Sequence, residues 1–366
     1  MRPGFHSTRR PGREDRPPPA GVDAHPGAGA AGGQRPDGGR GYAGIPGDGQ
    51  GSPARVLRVL HRARHLARGV VGAGTEVGAA GADRPGLAPG FRAGVWNIGA
   101  EGQLIVGAIA ASAIAIAMDG SDSVWVLPAM LLASLSAGAA WAAIPAWLRL
   151  RWNTSEILVS LMLVYVASHL LSFAIYGPMK DPQGMGFPQS ILFGDSALFA
   201  PVAENLRLNR SVWIVVALVP LFWLFLERSF AGYRLEVGGL APAAAIYAGF
   251  GSRRAVWLSM LIGGACAGLA GALEVAGPLG QLTKDVSRNY GFAAIIVAFL
   301  GRLHPLGIVL ASMLMSLLYI GGEKAQIDMQ LPSAITGLFQ GLLLLFLLAA
   351  EFFVANRILV RREGAS

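Results

Sequence analysis

Three polar side chains, Asn97, Glu101 and Gln103, crowd the start of a long apolar run in the stretch FRAGVWNIGAEGQL, residues 91–104. At the mouth of such a run, a carboxylate and two amides can bind a polar solute or satisfy backbone groups freed at a helix break. Gly94, Gly99 and Gly102 permit that break, or the approach of another helix. Glu101 has a second reading as an interfacial charge at a helix start, where it suits the positive end of the macrodipole. Glu274 is the one charge inside a long apolar run. Such residues face a cavity or a partner, or reach water if they lie at a span's outer end. Asn153 and Glu156 belong to NTSE, ahead of ILVSLMLVYVA, where a Ser or Thr before an acid caps a helix by accepting bonds from free amides.

These residues do not compose a catalyst. His169 and His304 have no partner at ligand spacing, and Cys266 is the single cysteine, set among alanines as a small hydrophobe. The chain has no GxxxxGK[ST] loop to cradle ATP phosphates. We therefore expect no enzyme activity, no metal and no cofactor in this chain; any energy drawn from ATP has to come from another polypeptide.

Composition points the same way. The 366 residues are 53% hydrophobic and 14% charged, against about 25% charge in ordinary soluble domains. The net charge of +8 resides mainly in residues 1–90, which hold 13 Arg and 7 acidic residues; the remaining 276 carry 17 basic and 15 acidic groups. No basic face is left to follow a phosphate backbone, which excludes nucleic-acid binding.

Residues 1–90 lack hydrophobic periodicity and are dense in PG, GG, RP and AG pairs. Such a chain buries too little surface to offset its ordering entropy, and it has no signal-peptide core. Two readings stand: a disordered tail, or a tract translated out of register in a GC-rich gene, as 27 Arg against 3 Lys suggests. The membrane domain is expected over 91–356, with 357–366 as a cytoplasmic tail.

A hydrocarbon core about 30 Å thick needs about 20 apolar residues as a helix. Candidate spans are 103–118, 124–148, 156–176, 212–226, 255–277, 291–300, 306–320 and 331–354. The pair 291–300 and 306–320 is short and interrupted by Gly301, His304, Pro305 and Gly307, the pattern of half-membrane segments. Strict alternation puts Arg149 and Arg151, the group Arg228, Arg234, Arg253 and Arg254, Arg302, and Arg357, Arg361 and Arg362 on one side, which the positive-inside bias makes cytoplasmic. Segments 119–123, 177–211, 278–290 and 321–330 then lie outside. The run from Gly263 to Gly271 is rich in Gly and Ala, suiting dense helix packing.

Taken in order, these motifs resemble the permease subunits of bacterial ABC importers, in the branch serving branched-chain amino acids, simple sugars and nucleosides. The likeness runs from about Gly90 to Phe353. It is nearest to the nucleoside-type permeases that work with basic-membrane-lipoprotein receptors. The resemblance implies an all-α polytopic bundle with broken or half-length helices in the inner membrane. It also implies a partner ABC ATPase that binds the ATP, a second permease subunit in a heterodimer, and an extracytoplasmic substrate-binding lipoprotein. It places Asn97, Glu101, Gln103, Asn153, Glu156 and Glu274 along the substrate pathway. It makes the loop 232–249 the ATPase contact, through Arg234, Gly238, Ala243, Ala244, Tyr247 and Gly249. Within that loop, 241–248 is expected to form a short helix, with Pro242 in its first turn and Gly249 as terminator. The helix that should precede 91–104 in such a permease is not expected, because nothing of membrane length is encoded before Gly90. A simple sugar is the alternative substrate. An ion-coupled secondary transporter is the rival class, and it would require more intramembrane charges and internal repeats than the chain offers.

Overall fold

The computed structural model describes residues 82–202, 208–329, 332 and 334–355. The expectations for 1–81 and for the tail 357–366 lie outside these residues. Among the described residues every extended element is helical: α1 (Asp83–Arg92), α2 (Ala100–Ala117), α3 (Val126–Trp152), α4 (Glu156–Tyr176), α5 (Val212–Trp223), α6 (Phe230–Leu240), α7 (Pro242–Tyr247), α8 (Ser252–Glu274), α9 (Tyr290–Leu300), α10 (Pro305–Met329) and α11 (Ala334–Ala355). The chain is a polytopic helical membrane protein. α2, α3, α4, α8 with its π-helical extension to Leu279, and the Pro305–Gly322 part of α10 are long and apolar enough to cross a membrane.

α8 is the axis of the bundle and packs against α1, α2 and α3. Its small residues are required there. A Cβ on Gly107 of α2 would lie 2.4 Å from Gly268 Cα, and one on Gly138 of α3 would lie 2.2 Å from the Gly264 carbonyl oxygen. In lipid, helices gain little from hydrophobic burial against one another, so this close fit supplies the cohesion through dispersion contacts.

The structure revises three expectations. The tract 1–90 does not remain unfolded to its end, because Asp83–Arg92 is helical, with Leu87 and Ala88 buried. Pro89 lies inside it and its intrinsic propensity is poor; burial against α8, α9 and α10 holds it, with Gly86 packed on Cys266. A ten-residue helix therefore leads into the 91–104 stretch, too short to be the membrane-length helix that such a permease should have there. The second half-segment, 306–320, belongs to a full helix running to Met329, so 321–329 is not an outer loop. Polar residues ended the apolar run without ending the helix. The loop expected from 232 is helical from Phe230, forming α6, and this helix bends by 65° from α5 and the π turn Leu224–Arg228 that extends it. Ser229 makes the elbow: its Oγ accepts from Gly232 N–H (3.0 Å) and donates to the Phe225 carbonyl. Gly232 is obligatory, since a Cβ would strike the Phe225 oxygen at 2.4 Å.

At the end opposite the arginines, the long connection after α4 pairs with the segment after α8. Ser190 N–H donates to the Leu282 carbonyl while Ser190 Oγ accepts from Leu282 N–H, and the amides of Phe193 and Phe199 donate to the carbonyls of Gly280 and Ala276. Ser196 reaches the Ser121 carbonyl. Three loops assigned to one side by alternation thus meet there.

Candidate functional site

The stretch 91–104 grips the half-length helix α9 at both ends. With 11 residues, α9 is about 16 Å long, roughly half the hydrocarbon core. At its N-terminus the buried Glu101 carboxylate, from the first turn of α2, accepts from Ser287 Oγ (2.5 Å), Asn289 N–H (3.0 Å) and Gly291 N–H (2.7 Å). Those amides have no intrahelical acceptors, and the positive end of the α9 dipole favours an anion. The irregular segment that leads into α9 is thereby satisfied within protein, the condition for non-helical backbone inside a bilayer. Gly291 permits the contact, because a Cβ there would lie 2.2 Å from Glu101 N. At the other end of α9, Phe299 packs against Phe91 (centroids 4.9 Å apart) and Trp96 (5.6 Å).

Asn97 and Gln103 close on each other. Asn97 Nδ2 donates to Gln103 Oε1 (2.9 Å) and Gln103 Nε2 donates to Asn97 Oδ1 (3.0 Å), which also accepts from Gly99 N–H (3.1 Å). Both are buried. This ring of bonds spans the break between α1 and α2, the hydrogen-bonding role their position suggested. Glu101 is only 4% exposed, so it is a buried cap of another helix rather than an interfacial charge.

The other expected pathway residues lie elsewhere. Asn153 is the left-handed C-cap of α3 (φ 54°), a conformation that asparagine tolerates. Ser155 is the N-cap of α4 as the NTSE pattern indicated, and Glu156 pairs with Arg149. Glu274 is buried at the end of α8, where the helix widens into the π turn Val275–Leu279. Arg84 of α1 is only 1% exposed and donates to the Ser312 carbonyl (3.4 Å). It had gone unnoticed because it sits in a tract without periodicity.

Arg92 is the second residue the sequence did not single out. It donates to Glu227 (2.7 Å) and to the Leu303 carbonyl (3.0 Å), and Glu236 lies 4.0 Å away. It thereby ties the α5–α6 elbow to the turn between α9 and α10. Gly239 of α6 crosses directly over the Arg92 carbonyl, where a Cβ would sit at 1.9 Å. Beyond α6, α7 begins at Pro242 and is followed by Gly249 at φ 77°, as expected for 241–248. Ala243 and Ala244 are exposed and Tyr247 is 96% exposed, while Ala245 is buried. Arg234 does not project outward: its guanidinium stacks on Phe230 (5.5 Å) and Phe250 (5.2 Å). It lines a cavity of about 720 Å³ with Gly238, Arg149, Arg253 and Arg254. None of the six pathway residues lines that cavity.

Comparison with known proteins gives these elements a context. The family described as "Branched-chain amino acid transport system / permease component" matches residues 86–348. The chain is 38% identical to a glucose ABC transporter permease protein of Haloferax volcanii, over 73% of each chain. It is 32% identical to a guanosine ABC transporter permease protein of Bacillus subtilis, over 75% of this chain and 80% of that one. It is 27% identical to a nucleoside ABC transporter permease protein of Lactococcus lactis, over 73% and 75%. No solved structure matches this chain.

Proposed function

This chain belongs to the permease-component family of branched-chain amino acid transport systems, and on that premise we propose that it carries nucleosides inward across a bacterial inner membrane. It is a non-enzymatic, multi-pass permease of the sugar and nucleoside ABC importer type. The family implies an ATPase and a substrate-binding protein as partners. The second permease, forming a heterodimer, is part of the proposal, and the presence of two guanosine ABC transporter permease proteins of Bacillus subtilis among the relatives supports it.

The observation that carries the mechanism is the grip on α9. In our reading the ATPases hold α7 through Ala243, Ala244 and Tyr247, with Gly249 setting its end. Arg234 and Gly238 serve from within, Arg234 by bracing the Phe230–Phe250 pair behind α7. Movement of α6 passes through Arg92 to the 301–304 turn and to the stretch that cradles α9. Asn97, Glu101 and Gln103 are then positioning residues that keep α9 and the α1–α2 break in register. Asn153 and Glu156 stand at the inner mouth of the pathway, and Glu274 lies on the pathway beside the π turn. ATP is bound by the partner, and the permease forms no covalent bond with its cargo.

Two of the three relatives above act on nucleosides, which supports that cargo. A simple sugar is the second reading, favoured by the 38% identity to a glucose permease. Uptake of labelled guanosine and glucose, by cells expressing the chain with its neighbouring ATPase, permease and receptor genes, separates them. We expect guanosine uptake that other nucleosides compete and glucose does not. Glucose uptake without guanosine uptake would replace the nucleoside reading with the sugar one.

A further inference from the structure

The cavity at the arginine-rich end is larger than packing requires, and its lining has one sign of charge. Arg149, Arg234, Arg253 and Arg254 all border it, and no carboxylate does. Two of these cations are already engaged, Arg149 by Glu156 and Arg234 by its two aromatic rings. Arg253 and Arg254 are exposed and form no ion pair among the described residues. They also stand in the first turn of α8, a helix of 23 residues whose N-cap, Gly251, offers no side chain to its free amides. Uncapped amides, the positive end of a long helix dipole and two free guanidinium groups make a seat for a phosphate oxyanion.

The rest of the lining favours one source of phosphate. From the arginines the wall continues along α8 through Trp257, Leu258 and Leu261, all partly exposed. A free phosphate has nothing to place against that surface, whereas a lipid has an acyl chain to lay along Leu258 and Leu261. Trp257 also sits one turn beyond the arginines, as expected at a headgroup boundary. We propose that the cavity binds an anionic glycerophospholipid, with its phosphate among Arg253, Arg254 and the α8 N-terminus and its chain along Trp257, Leu258 and Leu261. Basic pockets at the cytoplasmic ends of spans suit such headgroups. The site lies behind α7, away from the exposed Ala243, Ala244 and Tyr247, so lipid and ATPase would occupy opposite sides of that short helix.

The test needs only the full chain purified in detergent, and so stands apart from the transport reading. Native mass spectrometry would count the phosphatidylglycerol and phosphatidylcholine of matched acyl chains that it retains. We expect phosphatidylglycerol to be preferred and the doubly substituted Arg253→Gln/Arg254→Gln protein to retain about thirtyfold less of it, as loss of two charge contacts implies. Arg210→Gln, exposed at the opposite end, should change nothing. Equal retention of the two lipids, or undiminished phosphatidylglycerol in the double variant, overturns the site. Release of the lipid by millimolar inorganic phosphate assigns the seat to a free anion instead. Its release by the purified ATPase subunit assigns the cavity to protein docking, and either result removes the lipid.

Discussion

Along its middle, α8 presents Gly264, Gly268 and Gly271 to its neighbours so closely that a Cβ would meet a carbonyl oxygen at 2.5, 2.2 and 2.2 Å. At its start the same helix presents Arg253 and Arg254 to an open cavity. The interior is closed by shape, because in lipid only contact and satisfied polar groups hold helices together. The arginine-rich end is left unfilled, with Leu240, Ile246 and Tyr247 largely exposed. Rigidity in the first region and vacancy in the second fit a subunit whose bundle transmits a push received at one end.

The largest effect that could break this contrast is expected from Gly138→Val. A Cβ there would sit 2.2 Å from the Gly264 carbonyl oxygen and 2.7 Å from Gly268 Cα. Both are backbone atoms of the central helix and cannot swing away. Overpacking of this kind costs about 3 kcal/mol, so the variant should lose most of its monodisperse fraction in size exclusion and melt well below the parent. Unchanged melting would mean that α3 and α8 are not locked, and the contrast would fall.

A smaller loss is expected at Glu101. In Glu101→Ala, the donors on Ser287, Asn289 and Gly291 lose their acceptor inside the bundle. Ser287 and Asn289 are open enough for water to take the place of the carboxylate, so the buried Gly291 N–H is the donor left orphaned, at about 1–3 kcal/mol. Glu101→Gln keeps one acceptor oxygen but turns an amide N–H₂ toward the other donors, so it should recover only part. Hydrogen exchange would sharpen the comparison: amides of 289–293 should exchange faster in Glu101→Ala while those of α8 stay protected. Uniform acceleration would make Glu101 a general packing residue rather than the cap of one half-helix.

The contrast was partly legible in the sequence. Apolar length located α2, α3, α4 and α8, and the Gly-Ala run from Gly263 marked the axis. Pro242 and Gly249 fixed α7, because one suits a helix's first turn and the other its left-handed exit. Tertiary packing was the part that did not show. α1 reads as a Pro-Gly coil and is helical through what covers it. α6 reads as a loop because Gly232, Gly238 and Gly239 lower its propensity, although Gly232 and Gly239 are there for close crossings. Asn97, Glu101 and Gln103 were visible as polar residues at a membrane entrance. Their partners, about 190 residues away for Glu101, were not, since nothing local encodes a long-range cap. Arg92 escaped for the same reason.

The smallest stability effect should accompany the largest functional one, at α7. Ala244 is exposed and Tyr247 beside it is 96% exposed, so Ala244→Trp disturbs no packed neighbour and should move stability by no more than about 0.5 kcal/mol. If α7 is the surface the ATPase grips, the indole prevents seating, and ATP-dependent uptake should fall to background while the protein melts like the parent. Arg234→Glu makes a useful pair with it. That change removes the cation stacked between Phe230 and Phe250, so it should lower both uptake and the melting midpoint. Full uptake in Ala244→Trp would show that the exposed face of α7 carries no force. The open space at this end would then have to be explained by the arginine-lined cavity behind α7 rather than by a partner in front.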